Sequence, residues 1–207
     1  MRVHTYVIAT DAGSAPNYDQ PLVTLAVCKP RIRRKADIGD LVLAFAGKSV
    51  NPTEPHAVVW AGVVTEKMIF CEYWQDNRFA CKKPDRSDRP DNFYQPVDGG
   101  LLWVENPTHG PEAAEHDIRG EYVLAFKPAW RFGAYGPVLP SEFGLRMTSG
   151  RRGERVSNLS EAEWRRLSGW LNSQSQIPEP TAEVESSCRP KQTRRSAVAL
   201  TPRRSRC

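Results

Sequence analysis

Short apolar runs, set apart by loops, are the feature of this chain that most limits how it can fold. The runs are rich in β-branched and aromatic residues, which is typical of β-strands, and the loops between them contain proline and glycine. None approaches the roughly 18 apolar residues of a membrane span. The predicted strands are Val3–Ala9, Leu22–Cys28, Leu41–Ala46, Ala57–Val64, Leu101–Val104 and Tyr122–Phe126.

Two further segments predict helices. Over residues 66–79, apolar side chains recur at helical spacing, which indicates a short middle helix. Ser160 is followed three residues later by Glu163, the pattern of a capping box at a helix start. An apolar stripe follows, so we expect a C-terminal helix that ends near Asn172.

These elements together predict an α+β fold. Its core is expected to be a small, strongly bent mixed sheet or a partly open β-barrel, with the middle helix and the C-terminal helix packed on it. Gly62, inside a predicted strand, indicates a bulge or a close backbone approach. We expect a single domain over residues 1–173.

The net charge of +5 lies mostly at the C-terminus. Residues 178–207 contain seven basic and three acidic side chains, which leaves a net charge of only +1 on residues 1–177. The segment 174–207 is polar, broken by prolines and without periodicity, so we expect it to be a disordered basic tail. This distribution favours recognition of one base or nucleotide over a groove that coats a duplex.

The cysteines and histidines indicate neither a disulfide framework nor a metal site. The five cysteines are odd in number and show no CxxC spacing, and the four histidines show no ligand pattern. No signal peptide is evident at the N-terminus. We therefore expect a reduced, cytoplasmic protein with no metal and no cofactor.

Candidate binding residues come first from two polar segments. Asp11 and Asn17 follow the first strand in a loop and offer groups that can read a polar ligand edge. A loop that satisfies its own backbone explains the same composition. The basic segment 29–35 offers phosphate ligands, although a solvated turn is the alternative; its candidates, with a cation from the turn after the third strand, are Lys29, Arg31, Arg33 and Lys48.

Aromatic residues beside polar groups supply the other candidates. Bases stack on aromatic faces at about 1–3 kcal/mol each, but packing in the core is the better explanation for any single aromatic residue. The candidates are Tyr73, Trp74, Arg78, Asn92 and Tyr94.

Four segments resemble the nucleotide modification associated domain 2 family. They are TYVIATDAGSAPN, TLAVCKPRIRRKADIGD, EYWQDNRF and DNFYQP, and the order and spacing cover roughly residues 3–172. The resemblance implies a link to base modification systems of bacteria and phages, but no agreed catalytic residues. The segments DIGDLVLAFAG and AVVWAGVVTEKMIFCEYW are also similar, more weakly, to the PUA/EVE-type barrels that bind modified bases.

The favoured hypothesis is a non-catalytic module that binds a modified base or nucleotide, with nucleic acid and base-modification enzymes as partners. The rival is an enzyme that acts on a nucleotide or base, with Cys28 or Asp11 as the reactive group. Cys28 stands beside Lys29, whose charge lowers a thiol pKa, yet it also ends an apolar strand, as inert buried thiols do. A third hypothesis assigns the binding to the basic tail.

Overall fold

The computed structural model describes residues 1–10, 13–54, 56–145, 153–177 and 197–200. Over these residues the fold is mixed α+β, as predicted. The strands are β1 (Arg2–Ile8), β2 (Val23–Leu25), β3 (Leu41–Ala46), β4 (Val58–Ile69), β5 (Tyr94–Val97), β6 (Gly100–Val104), β7 (Tyr122–Arg131), β8 (Arg155–Asn158) and β9 (Ala197–Leu200). The α-helices are α1 (Pro30–Lys35), α2 (Phe70–Gln75), α3 (Ala114–Ile118) and α4 (Glu161–Ser173). Short 3₁₀ helices cover Asn77–Lys82, Pro111–Ala113 and Ser141–Phe143.

The strands form a mixed six-stranded sheet and a second sheet of three strands. The order in the larger sheet is β2-β7-β4-β3-β1-β8, and that in the smaller is β5-β6-β9. β1 pairs in parallel with β3, and its other edge pairs antiparallel with β8. The described strands do not close into a barrel, so the predicted PUA/EVE-like barrel is not confirmed.

The chain divides into two compact units, which we describe separately. Unit 1 contains residues 1–11, 36–65 and 126–178. β3 is buried along its whole length, as its uninterrupted apolar run predicts. Gly62 lies against Phe126, whose side-chain Cβ would be only 2.9 Å from a Cβ added at the glycine. The close neighbour is a side chain, so the bulge or close backbone approach expected at this glycine stays a prediction.

Helix α4 completes the core of unit 1. The Ser160 hydroxyl accepts the backbone N–H of Glu163, whose carboxylate accepts the N–H of Ser160, so the predicted capping box is confirmed. The helix places Leu167 and Leu171 in the core, both with no exposed surface. Burying each of these leucines contributes about 2 kcal/mol to folding.

Unit 2 contains residues 12–35, 66–125 and 179–207. Its core is rich in aromatic side chains, among them Phe79, Phe93 and Trp103, which confirms the packing interpretation for these three. The helix predicted over residues 66–79 was partly wrong. β4 stays extended to Ile69 as a neighbour of β7 in the sheet, and α2 begins only at Phe70, before the 3₁₀ helix Asn77–Lys82.

Two other expectations need correction. Cys71 and Cys81 are disulfide-bonded, whereas the sequence predicted reduced cysteines. Most of the predicted disordered tail lies outside the described residues, but Ala197–Leu200 forms β9 in register with β6, and disorder was wrong for these four. Among the described helices, none has the length and apolar character needed to cross a membrane.

Candidate functional site

A thiol and an imidazole meet in unit 2. Cys28 follows β2, and His109 lies in the loop before the 3₁₀ helix Pro111–Ala113. The Cys28 Sγ lies 3.1 Å from the His109 Nε2, which is hydrogen-bond distance for a thiol that donates to an imidazole nitrogen. A thiol beside a base is the arrangement of an activated nucleophile.

Asp117 joins this pair from helix α3. One carboxylate oxygen accepts the backbone N–H of Cys28 at 2.6 Å, and the other accepts the Tyr94 hydroxyl at 2.9 Å. The second oxygen also lies 3.9 Å from the His109 Nε2. The carboxylate is almost fully buried, with 1% of its side chain exposed, so its position is fixed by these partners.

The backbone at Cys28 is held in an unusual conformation. Cys28 and Lys29 have φ angles of 55° and 42°, in the left-handed region that residues other than glycine rarely adopt. The buried Arg33 holds this turn, because its guanidinium donates to the carbonyls of Cys28, Asp117 and Tyr122. Such strained backbone persists where surrounding contacts enforce it, and it is concentrated at functional sites.

His109 is positioned by its own loop and by a ring contact. Its backbone N–H donates to the Asn106 Oδ1 at 2.8 Å, and its ring packs on Phe93 with centroids 6.0 Å apart. Nδ1 is buried with no hydrogen-bond partner among the described residues. Asp117 and the Cys28 thiol both lie near the Nε2 of His109. The cluster thus differs from a catalytic triad, in which the acid binds the other ring nitrogen of the histidine.

The electrostatics of the site keep the thiol protonated. Burial, with a smaller effect from the Asp117 carboxylate, raises the pKa of Cys28 to about 11, while the charges of Lys29 and Arg33 act in the opposite direction. Burial also lowers the pKa of Arg33, to about 10, and that of Lys29. Formation of a thiolate at neutral pH therefore requires a nearby proton acceptor, and the His109 Nε2 is in place for this role.

The same three side chains are the group among the described residues that could hold a metal ion. One ligand atom from each of Cys28, His109 and Asp117 lies within 4.8 Å of the other two. Thiolate, imidazole and carboxylate are all zinc ligands.

Three of the predicted binding residues surround this cluster. Lys29 follows Cys28 and is half-buried, Arg33 is fully buried beneath it, and the Tyr94 hydroxyl orients Asp117. The Arg33 guanidinium binds backbone carbonyls, and Tyr94 is 1% exposed. Neither offers a free face to a ligand in this structure, so phosphate binding by Arg33 and base stacking on Tyr94 stay predictions that this geometry does not favour.

A second group of predicted residues lies in a buried network around Lys82. The Lys82 ammonium donates to Asn17 and Thr24, and burial lowers its pKa to about 8. The Tyr73 hydroxyl donates to Asp91 at 2.7 Å, and the Asn92 amide donates to the backbone carbonyl of Tyr73. Asn17, Tyr73 and Asn92 are thus all engaged within unit 2.

The remaining predicted residues are described by their own surroundings. Arg31 is exposed on α1, and Trp74 is half-buried with the Lys83 ammonium 4.3 Å from its ring centroid. Arg78 is exposed and pairs with the carboxylates of Glu66 and Asp76. Lys48 is exposed in unit 1. Asp11 lies outside the described residues.

Comparison with protein families supplies the identity of the chain. The family described as nucleotide modification associated domain 2 matches residues 1–187 of the 207. The chain belongs to this family. Membership associates it with a nucleotide modification system, in agreement with the resemblance seen in the sequence. Comparison with curated proteins and with solved structures gave no match.

The sequence of this family member revealed only part of the site. Cys28 was considered as a reactive thiol, but His109 and Asp117 were missed. They stand 81 and 89 positions from Cys28, so no local spacing connects the three. The available signal was the loop 106–109, where asparagine, proline and glycine neighbours favour a fixed turn around a histidine.

Proposed function

We propose that this chain is an enzyme of a nucleotide modification system and that Cys28 is its nucleophile. The single observation that supports this most strongly is the 3.1 Å contact between the Cys28 Sγ and the His109 Nε2. Family membership supports a nucleotide or a nucleobase as the class of substrate. We prefer the catalytic alternative, because several residues that were expected to bind a ligand in a non-catalytic module make contacts inside the protein instead.

The chemical step is the addition of the thiol to an electrophilic double bond of the substrate. His109 Nε2 takes the proton from the Cys28 thiol while the sulfur bonds to the electrophilic carbon. The π bond breaks, and its electron pair moves to the electronegative end of the double bond. That atom then receives the proton from His109, so the step needs no oxidant or reductant.

Charges around the pair match this proton movement. The Asp117 carboxylate, 3.9 Å from the His109 Nε2, stabilises the imidazolium that forms. Lys29 and Arg33 favour the thiolate, since their charges oppose the rise in the Cys28 pKa. Desolvation disfavours a free thiolate before the substrate arrives, which protects the thiol from unproductive reaction.

Substrate binding near this site is assigned to the exposed part of α1. Arg31 is exposed on the helix that begins just after Cys28 and Lys29, and a guanidinium binds phosphate through two parallel hydrogen bonds. We therefore include Arg31 as a contact to substrate phosphate, in a free nucleotide or in a nucleic acid.

The proposal is tested with nucleosides and oligonucleotides that contain plain and modified bases. The full chain is prepared with C188S and C207S, so that Cys28 is the remaining thiol outside the disulfide-bonded cysteines. Nucleoside mass spectrometry measures conversion as the loss of free substrate, and intact-protein mass spectrometry detects the covalent adduct on Cys28 into which the substrate is converted. We expect conversion by the parent and at least about a hundredfold loss with Cys28→Ser.

Two outcomes contradict the proposal and separate it from its rivals. Equal conversion by the parent and by Cys28→Ser excludes Cys28 as the nucleophile. Binding of oligonucleotides without conversion, at a stated salt concentration, returns the chain to the role of a non-catalytic module, and deletion of residues 174–207 then shows whether the tail provides that binding.

A further inference from the structure

We infer that Cys28, His109 and Asp117 also form a zinc-binding site and that bound zinc blocks the nucleophile. The binding follows from the arrangement of the three side chains alone, whereas the block rests on the proposed function. Zinc opposes the attack in two ways: the zinc–sulfur bond withdraws electron density from the Cys28 sulfur, and the zinc–nitrogen bond occupies the His109 Nε2 that would take the thiol proton.

The distances between donors are close to those of a tetrahedral zinc site. Zinc–sulfur and zinc–nitrogen bonds of about 2.3 and 2.0 Å place the two donors about 3.5 Å apart, against 3.1 Å between the Cys28 Sγ and the His109 Nε2. The nitrogen and carboxylate oxygen of such a site lie about 3.3 Å apart, against 3.9 Å here. Shifts of about half an ångström bring these two distances to those of a zinc site, and the Cys28 Sγ and an Asp117 carboxylate oxygen lie within 4.8 Å of each other.

The charges of the ligands also fit a dication. A Cys28 thiolate and the Asp117 carboxylate together balance the charge of Zn²⁺, and binding releases the thiol proton to solvent. The nearby Arg33 guanidinium opposes a cation, but backbone carbonyls accept its hydrogen bonds. Tyr94 donates to Asp117 and orients the carboxylate, as outer partners of metal ligands do.

The site leaves a fourth position for water. Protein sites with three ligands and an open position are typical of exchangeable or catalytic zinc, whereas closed structural sites have four protein ligands. His109 keeps 16% of its side chain exposed, and Cys28 is half-buried. A cation can therefore reach the site and leave it without unfolding of unit 2.

The test uses Co²⁺ as a spectroscopic substitute for zinc in the metal-free full chain with C188S and C207S. We expect a near-ultraviolet thiolate-to-cobalt absorption band that Zn²⁺ abolishes. Cys28→Ser should remove the band, and His109→Gln should weaken cobalt binding by roughly tenfold or more. His116→Gln, at an exposed histidine of α3, is the matched control and should leave binding unchanged. Absence of the band, or its survival in Cys28→Ser, overturns the inference.

The block of the Cys28 nucleophile by zinc is tested separately, in the nucleotide conversion assay. Conversion by the metal-free chain, lost on addition of Zn²⁺ and restored by a chelator, supports the block. Conversion without any cobalt band contradicts the zinc site and leaves the proposed function standing. A cobalt band without conversion in the metal-free chain contradicts the proposed function and leaves the zinc site standing.

Discussion

Cys28 and His109 are 81 positions apart in the sequence, yet the sulfur of one lies 3.1 Å from the Nε2 of the other. The contact depends on a left-handed turn at Cys28, on the buried Arg33 beneath it and on the Asp117 carboxylate beside it. Arg33 and Asp117 each lead to a measurable prediction.

Removing the charge of Asp117 should make the Cys28 thiol more acidic. The carboxylate raises the thiol pKa, so Asp117→Asn is expected to bring the midpoint of thiolate absorbance at 240 nm below that of the parent. Glu115→Gln, at an exposed position on the same helix, should leave the midpoint unchanged. A midpoint that rises in Asp117→Asn would contradict the assigned electrostatics.

Replacing Arg33 should destabilise the chain strongly. Arg33→Met leaves three carbonyls without their donor, one in a buried and two in partly buried hydrogen bonds, and each buried unsatisfied group costs about 1–3 kcal/mol. We expect a loss of about 3–5 kcal/mol in the free energy of unfolding, measured in urea. Arg34→Met is the control, since that side chain is half exposed and its ion pair with Glu121 is long, at 4.0 Å. A similar loss in both variants would show that burial of Arg33 is unimportant.

Gly120 should be intolerant of a side chain. An added Cβ would collide with the Arg33 guanidinium, so Gly120→Ala is expected to cost about 1–3 kcal/mol through overpacking. Gly169→Ala is the control, because that glycine lies inside α4 with open space around it. Alanine there should be neutral or stabilise by about 0.5–1 kcal/mol. Thermal unfolding measures the stability of both variants, and a Gly120→Ala variant as stable as the parent would contradict the tight contact.

Tyr73 should contribute to stability through its hydroxyl. Tyr73→Phe leaves the buried Asp91 carboxylate without one of its donors, which we expect to cost about 1–3 kcal/mol. Tyr135→Phe is the control, because Tyr135 is 78% exposed. Circular dichroism during urea unfolding compares the two. An unchanged stability of Tyr73→Phe would reopen its assignment as a stacking residue.

Local patterns in the sequence predicted local structure well. The capping box at Ser160 and Glu163 and the uninterrupted apolar run of β3 depend on neighbouring residues, so local sequence predicts both. The end of β4 was missed because its last residues are held extended by a neighbouring strand, while their apolar spacing suits a helix equally well.

The candidate site could not be assembled in the same way. Lys82 stands in a polar stretch of sequence, which predicts an exposed cation, yet it is fully buried because hydrogen-bond acceptors from distant segments surround its ammonium. His109 likewise stands in a polar stretch of sequence that predicts a loop and nothing more specific. Tertiary packing, which joins Cys28 to residues of the second half of the chain, determines both the site and the burial of the predicted binding residues.

The most direct test is the rate of Cys28 alkylation by iodoacetamide at pH 7.5 in the metal-free chain with C188S and C207S. If the His109 Nε2 accepts the thiol proton, His109→Gln should react at least about tenfold more slowly than the parent, as loss of a general base requires, while His116→Gln should match the parent. Equal rates for the parent and His109→Gln would contradict the account, because the thiol would then react without its neighbour.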